Sequence, residues 1–165
     1  MLEFSQGGNS MLTLQEYQQQ EQELTLKRFK RSDAFTLGSY ISQKAIENNY
    51  GVEVYIEVNG QCIYRYVNEG ASENNHSWIT KKGNVIKRFN HASGFIAAKY
   101  SKMTYQQLVE AYGSDLAITP GAFPIILENA GVIGIVGVSG LASDDDHQLI
   151  IDGLTYLKKV QENVD

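Results

Sequence analysis

From Val52 to Tyr66 apolar and polar positions alternate. Val52, Val54, Ile56 and Val58 are interleaved with Glu53, Tyr55 and Glu57, and Ile63, Tyr64 and Tyr66 follow after Asn59-Gly60. A period of two puts one side of each strand in a core. Asn-Gly supplies the positive φ angles of a type I′ turn, so the segment predicts a β-hairpin. Cys62, in its second strand, is expected to be a small buried apolar residue. A second hairpin is predicted from Ala122 to Val138, turning at Asn129-Ala130-Gly131. Its second strand is apolar throughout, as a central strand covered on both faces would be. The glycines in that strand mark a close helix approach or a bulge.

Elsewhere the period lengthens to that of a helix. Thr13 to Lys30 scatters Leu14, Tyr17, Leu24 and Phe29 among Gln and Glu, which predicts a mostly exposed helix opened by a Thr13–Glu16 capping box. A second helix begins at Ser32 or Asp33 and buries Ala34, Leu37, Ile41 and Ala45, with Gly38 allowing close packing. Trp78, Val85, Phe89, Ile96 and Tyr100 recur at steps of seven and four, which predicts one long helix interrupted in composition by Gly83 and Gly94. A short helix follows from Thr104 to Tyr112, and a terminal helix after Ser143 carries Ile150, Leu154 and Leu157 inward. Two hairpins separated by helices predict an α/β (α+β) domain: one antiparallel sheet flanked by helices in layers, of the profilin-like or PAS-like type.

Composition narrows the function classes. A chain of 165 residues with 42% apolar and 20% charged residues fits one soluble domain over residues 12–165. Residues 1–11 read as a flexible tail or an expression remnant, with Met11 a natural start. A net charge of −5 argues against nucleic acid as a partner. The longest glycine-plus-apolar run, Gly131 to Val138, is far short of the roughly 20 residues a membrane span needs. No basic, apolar leader opens the chain, and its single cysteine forms no intrachain disulfide, so a cytoplasmic location is expected.

Three stretches carry a resemblance: WITKKGNVIKRFNHAS, PGAFPIIL and VIGIVGVSGLASDDDHQLIIDGL. They resemble a family of small bacterial and fungal proteins of unassigned function. That family is similar in turn to the haem-degrading superfamily that includes HbpS and GlcG. The superfamily's Gly-Gly-hydrophobic-Pro strand, Gly-Val-Ser-Gly segment and acidic helix start appear as Gly121 to Pro124, Gly137 to Gly140 and Ser143 to His147. The chain keeps the family's Trp78, Lys82, Arg88, Phe89, His91 and Ser93. It departs from it at Thr80, Lys81, Ala92 and Pro120. The resemblance implies a profilin-like sheet and self-association. No established haem ligand maps onto a position here, so haem is an open candidate cofactor rather than an implied one.

The candidate ligand-binding residues are Lys81, Arg88, His91, Ser93 and His147. On a continuous helix Lys81, Asn84, Arg88 and His91 share one face, where Arg88 offers a planar fork to a phosphate or carboxylate and His91 a proton-transfer or metal-binding group. The alternative is a solvated or subunit-facing polar side. Asp144, Asp145, Asp146 and His147 point about 100° apart on a helix, so they read as a dipole-complementing start with Ser143 and Asp146 as a capping pair, not as a metal site. His147 is either a satisfied core residue or a ligand. The Gly131–Gly140 segment lacks Walker and dinucleotide signatures, and Leu141 breaks a nucleophile elbow at Ser139. Three functions stay open: a homo-oligomeric protein binding an anionic metabolite or haem, a haem-dependent or haem-degrading enzyme, and a non-catalytic adaptor for a protein partner.

Overall fold

The computed structural model describes residues 12–164, so the expected tail lies outside the described residues. In chain order the elements are α1 (Leu14–Glu23), α2 (Arg31–Glu47), β1 (Glu53–Val58), β2 (Gln61–Val67), α3 (Glu73–Phe89), α4 (Ser93–Lys99), α5 (Tyr105–Tyr112), β3 (Ala122–Leu127), β4 (Gly131–Ser139) and α6 (Ser143–Val164). The two hairpins join through their inner strands into one antiparallel sheet in the order β2-β1-β4-β3. Asn59 and Gly60 have φ angles of 50° and 80°, as the type I′ turn requires. β4 lies between β1 and β3, which accounts for its unbroken apolar run.

Alternation divides the sheet into two unlike faces. Val54, Ile56, Val136, Val138, Phe123 and Ile125 meet Leu37, Ile41, Ile150, Leu154 and Leu157 of α2 and α6 in the main core. Gly38 lets α2 close onto the sheet, since a Cβ there would collide with the Tyr64 ring. The opposite face receives α3, which lies over β3 and β4 and only the margin of β1. At Gly137 a Cβ would strike Ile79 of α3. Among the described residues no helix is long and apolar enough to cross a membrane.

Four local expectations are corrected. The first helix stops at Glu23, because Leu24 caps it in a turn and buries, and the chain then leaves the helix so that Leu26 can bury against β3. Leu26 bridges Leu127 at the edge of β3, donating to Ile126 O at 2.8 Å and accepting from Glu128 N at 3.0 Å. The cap of α2 is Lys30, whose N–H donates to Asp33 Oδ2 at 2.6 Å. The long helix is two helices: Asn90 takes the left-handed conformation (φ 58°) and ends α3, and α4 starts at Ser93. The inner face of α3 is Ile79, Lys82, Gly83 and Ile86, while Val85 and Ile96 join Leu116 in a second cluster flanked by Phe89, Tyr100 and Tyr112. Cys62 is exposed, because it sits on edge strand β2 opposite Glu57, on the face that α3 leaves open.

Candidate functional site

The break after Asn90 puts His91 in the corner between α3 and α4. Its Nδ1 lies 2.8 Å from Glu21 Oε2 and 3.2 Å from Oε1, on α1. Glu21 is nearly buried, and its Oε1 also accepts from Ala92 N at 2.8 Å. The imidazole stacks on Phe95, with ring centroids 3.9 Å apart and planes 7° apart. The carboxylate accepts from Nδ1–H, so in the neutral ring the lone pair is on Nε2. That nitrogen has no protein partner among the described residues, and the side chain is 41% exposed. A carboxylate behind an outward imidazole is the arrangement that orients histidine toward a metal. It serves a proton acceptor equally well.

The break also separates His91 from the cations expected beside it. Arg88 is exposed and turns toward α5, its guanidinium carbon 5.0 Å from the Tyr112 ring centroid and 5.8 Å from that of Phe89. Lys81 lies 5.9 Å over Trp78, and Asn84 Nδ2 donates to Asp115 O at 2.9 Å. Lys99 adds an ammonium 5.6 Å over Tyr100. Beside the corner, toward α5, aromatic rings are overlaid by Arg88 and Lys99, in a protein whose net charge is negative. His91 faces α1 at one side of it, and Arg88 faces α5 at the other.

Ser93 and His147 sit inside the protein. Ser93 Oγ accepts from Ala122 N at 3.1 Å and donates to Ala122 O at 3.3 Å, tying α4 to β3. His147 is 1% exposed, with Nε2 donating to Gln20 Oε1 at 2.7 Å and Nδ1 buried without a hydrogen-bond partner. Tyr17 and Phe123 flank its ring at 5.1 Å and 5.9 Å. Burial pushes its pKa down to about 4. Neighbouring residues of α1, Gln20 and Glu21, thus hold two histidines, one inside and one at the surface.

Asp146 corrects the proposed capping pair. It is fully buried and pairs with the equally buried Lys82 of α3 at 3.3 Å, while its Oδ1 accepts from Leu141 N at 2.9 Å. Ser143 Oγ instead accepts from Thr119 at 2.9 Å. Asp144 and Asp145 keep their places in the first turn of α6, and no group of three or more metal-ligating side chains occurs among the described residues.

Sequence reasoning missed a second carboxylate-held histidine. His76 Nδ1 lies 2.6 Å from Oε2 of the fully buried Glu53, whose Oε1 accepts from Arg65 Nε at 2.9 Å. Arg65 also reaches Glu73 at 3.0 Å, and its bonds to Glu53 and Glu73 hold the guanidinium more firmly protonated than usual. Tyr55 packs edge-on against His76, and burial followed by the nearby Glu57 pushes its phenol pKa up. The available signal was Glu53 and Arg65 on the polar side of paired strands, but their register depends on a bulge after Ile56 that the sequence does not announce.

Residues 29–155 match the family described as haem degrading protein HbpS-like. A UPF0303 protein of Psychromonas ingrahamii is 34% identical over 158 residues, 94% of this chain and 99% of the relative. One from Streptomyces coelicolor is 31% identical over 144 residues, 86% of this chain and 91% of the relative. Among solved structures, the Ybr137w protein superposes with a TM-score of 0.80 at 28% identity, covering 89% of this chain and 88% of that one. A complex of PduOC with heme has the same fold at a TM-score of 0.63 and 17% identity, over 77% of this chain and 93% of that one. The antiparallel sheet flanked by helices agrees with these matches, and the chain belongs to the HbpS-like family, with UPF0303 proteins among its relatives.

Proposed function

We propose that this protein is a cytoplasmic, self-associating binding protein for a planar organic anion of the haem type, with His91 as the residue that reaches the ligand. One observation carries the reading: His91 is oriented by the nearly buried Glu21 so that Nε2 faces outward from a stacked aromatic corner. Arg88 and Lys99 lie beyond the break, toward α5, so carboxylates on such a ligand would meet them only if it spans from the α1 side of the corner to the α5 side, and Lys81 lies further along α3, over Trp78. The family description and the heme-bound PduOC neighbour support haem over other planar anions. Bound haem would supply a redox-active iron, and this chain an imidazole donor held by a carboxylate. Ser93 and His147 would act behind the site, by fixing α4 and α1.

The test is a hemin titration of the purified protein, read at the Soret band. A saturable, shifted band is expected in the wild type and lost in His91→Ala. Glu21→Gln should weaken binding about tenfold or more, as loss of a ligand-orienting carboxylate does. His147→Ala, checked for folding by circular dichroism, should keep the shifted band. A band unchanged in His91→Ala overturns the proposal. Sedimentation of the apo-protein tests self-association separately.

A further inference from the structure

Where the β1–β2 hairpin turns, the chain between α1 and α2 crosses in front of it and leaves a cleft of about 340 Å³. Its floor is apolar. Phe29, Val58 and Ile63 line it, each partly buried against the flank of the main core. The bulge after Ile56 pairs Tyr64 with Ile56 and Cys62 with Glu57, which leaves Ile63 without a cross-strand partner and free to face the cleft. Its rim is polar, formed by Lys30, Arg31, Asn59 and Gln61. The volume falls within the range of small-molecule sites, roughly 300–1,000 Å³.

The charge at this rim is not neutralised. Lys27-Arg28-Phe29-Lys30-Arg31 packs four cations into five residues of a chain whose net charge is −5. Neither Lys30 nor Arg31 has a carboxylate within ion-pair distance among the described residues. Arg31 is held across the mouth by a neutral group, donating to Gln61 Oε1 at 3.0 Å, which fixes the guanidinium without discharging it. The acid in the first turn of α2, Asp33, is engaged by the Lys30 N–H. A shaped apolar floor beneath a fixed, unpaired guanidinium is complementary to a molecule that is apolar at one end and anionic at the other.

We infer that this cleft is a second binding site, separate from the His91 corner, for a small amphipathic anion. Its apolar or aromatic body would lie on Phe29, Val58 and Ile63, and its carboxylate or phosphate would meet Arg31 and Lys30.

The experiment uses the full chain and the fluorescent anion 8-anilinonaphthalene-1-sulfonate, with the uncharged N-phenyl-1-naphthylamine beside it. Saturable binding of one anion per chain is expected, with amide shifts in the NMR spectrum confined to Phe29–Ser32 and Val58–Ile63. The exposed double substitution Lys30→Gln/Arg31→Gln should weaken the anion at least tenfold and leave the neutral probe within twofold. Lys27→Gln, in the same basic run but outside the cleft, should leave both unchanged. His91→Ala should bind the anion as the wild type does, which separates this site from the haem proposal. Displacement by octanoate or by octyl phosphate then identifies the head group preferred. The inference is overturned by amide shifts elsewhere, by equal weakening in Lys27→Gln, by undiminished binding in the double variant, or by failure of both displacers.

Discussion

Replacing Lys82 by methionine removes a cation that lies wholly inside the protein, 3.3 Å from Asp146 Oδ2, with neither side chain exposed. At an effective dielectric of about 20, two charges at that separation attract by about 5 kcal/mol. Desolvation of both groups offsets much of this, so the intact pair adds little net stability. Removing one partner is different, because it leaves the other buried charge uncompensated, at about 3–5 kcal/mol. Lys82→Met keeps most of the side-chain volume, so that loss is electrostatic rather than a cavity effect. Asp146→Asn keeps the carbonyl that accepts from Leu141 N and removes the countercharge of the buried ammonium, so a similar loss is expected. The double variant carries neither charge and should fall within about 2 kcal/mol of the wild type. Urea unfolding followed by Trp78 fluorescence, at one protein concentration, measures all four proteins. Single losses below about 1 kcal/mol, or a double loss equal to the sum of the singles, would refute the reasoning, since additivity means the two groups do not interact.

Gly121 has a φ of 130°, and a Cβ there would meet Lys82 Nζ and Val138 O, so Gly121→Ala should cost more than about 2 kcal/mol in thermal unfolding. Gly113, with a φ of 87° and open space around it, is the control and should lose only about 1 kcal/mol as alanine. Gly38→Ala should destabilise by about 1–3 kcal/mol through collision with Tyr64, and become neutral or stabilising in a Tyr64→Ala background, which removes the colliding Cγ and ring atoms. The His147 pKa lies near 4 in the fold, against about 6.5 in the unfolded chain. The unfolded state therefore binds the proton first as pH falls. Stability is fully present above about pH 6.5 and declines toward pH 4, by up to about 3 kcal/mol. Urea midpoints between pH 7 and pH 4.5 should show this decline in the wild type and a smaller one in His147→Phe.

What the sequence revealed depended on how local the determining physics was. The hairpins were legible because alternation and Asn59-Gly60 act over a few residues, and the terminal helix because Ile150, Leu154 and Leu157 repeat at helical spacing. The end of α1 was not legible. Leu24 and Leu26 fit a helix or a strand, and the choice is made by Leu127 a hundred residues away. The candidate site shows the same division. Arg88 and His91 were found by assuming one helical face, yet Asn90 turns them toward different neighbours. Asp146 read as half of a cap with Ser143 and Lys82 as a residue shared with the resembled family, and the burial of both, like that of Glu53, was not legible, because nothing in their own segments shows what lies across from them. Their burial follows from α3 closing on one half of the sheet, which Gly137 permits and Ile79 fills.

The short helix α1 links these observations. Ten polar-rich residues do not hold a helix alone in water, so α1 persists through its contacts. Tyr17 fills the space that Gly94 leaves on α4, Gln20 caps His147, Glu21 takes His91 and Ala92 N, and Lys158 donates to Glu23 O at 2.5 Å. His91 owes its orientation to a residue of this helix, so the docked state of α1 is the one in which Nε2 is presented. A ligand bound through that nitrogen favours the docked state by RT ln(1 + [L]/Kd), about 2.7 kcal/mol at a hundredfold excess over Kd. Amide hydrogen exchange across Tyr17–Glu23 should slow by about a factor of 100 on saturation, if α1 exchanges by local opening. In Glu21→Gln the helix is held by the remaining contacts and the ligand no longer reports on it, so the slowing should be much smaller. A ligand that binds tightly yet leaves exchange in α1 unchanged is not held by His91, whatever its spectrum shows.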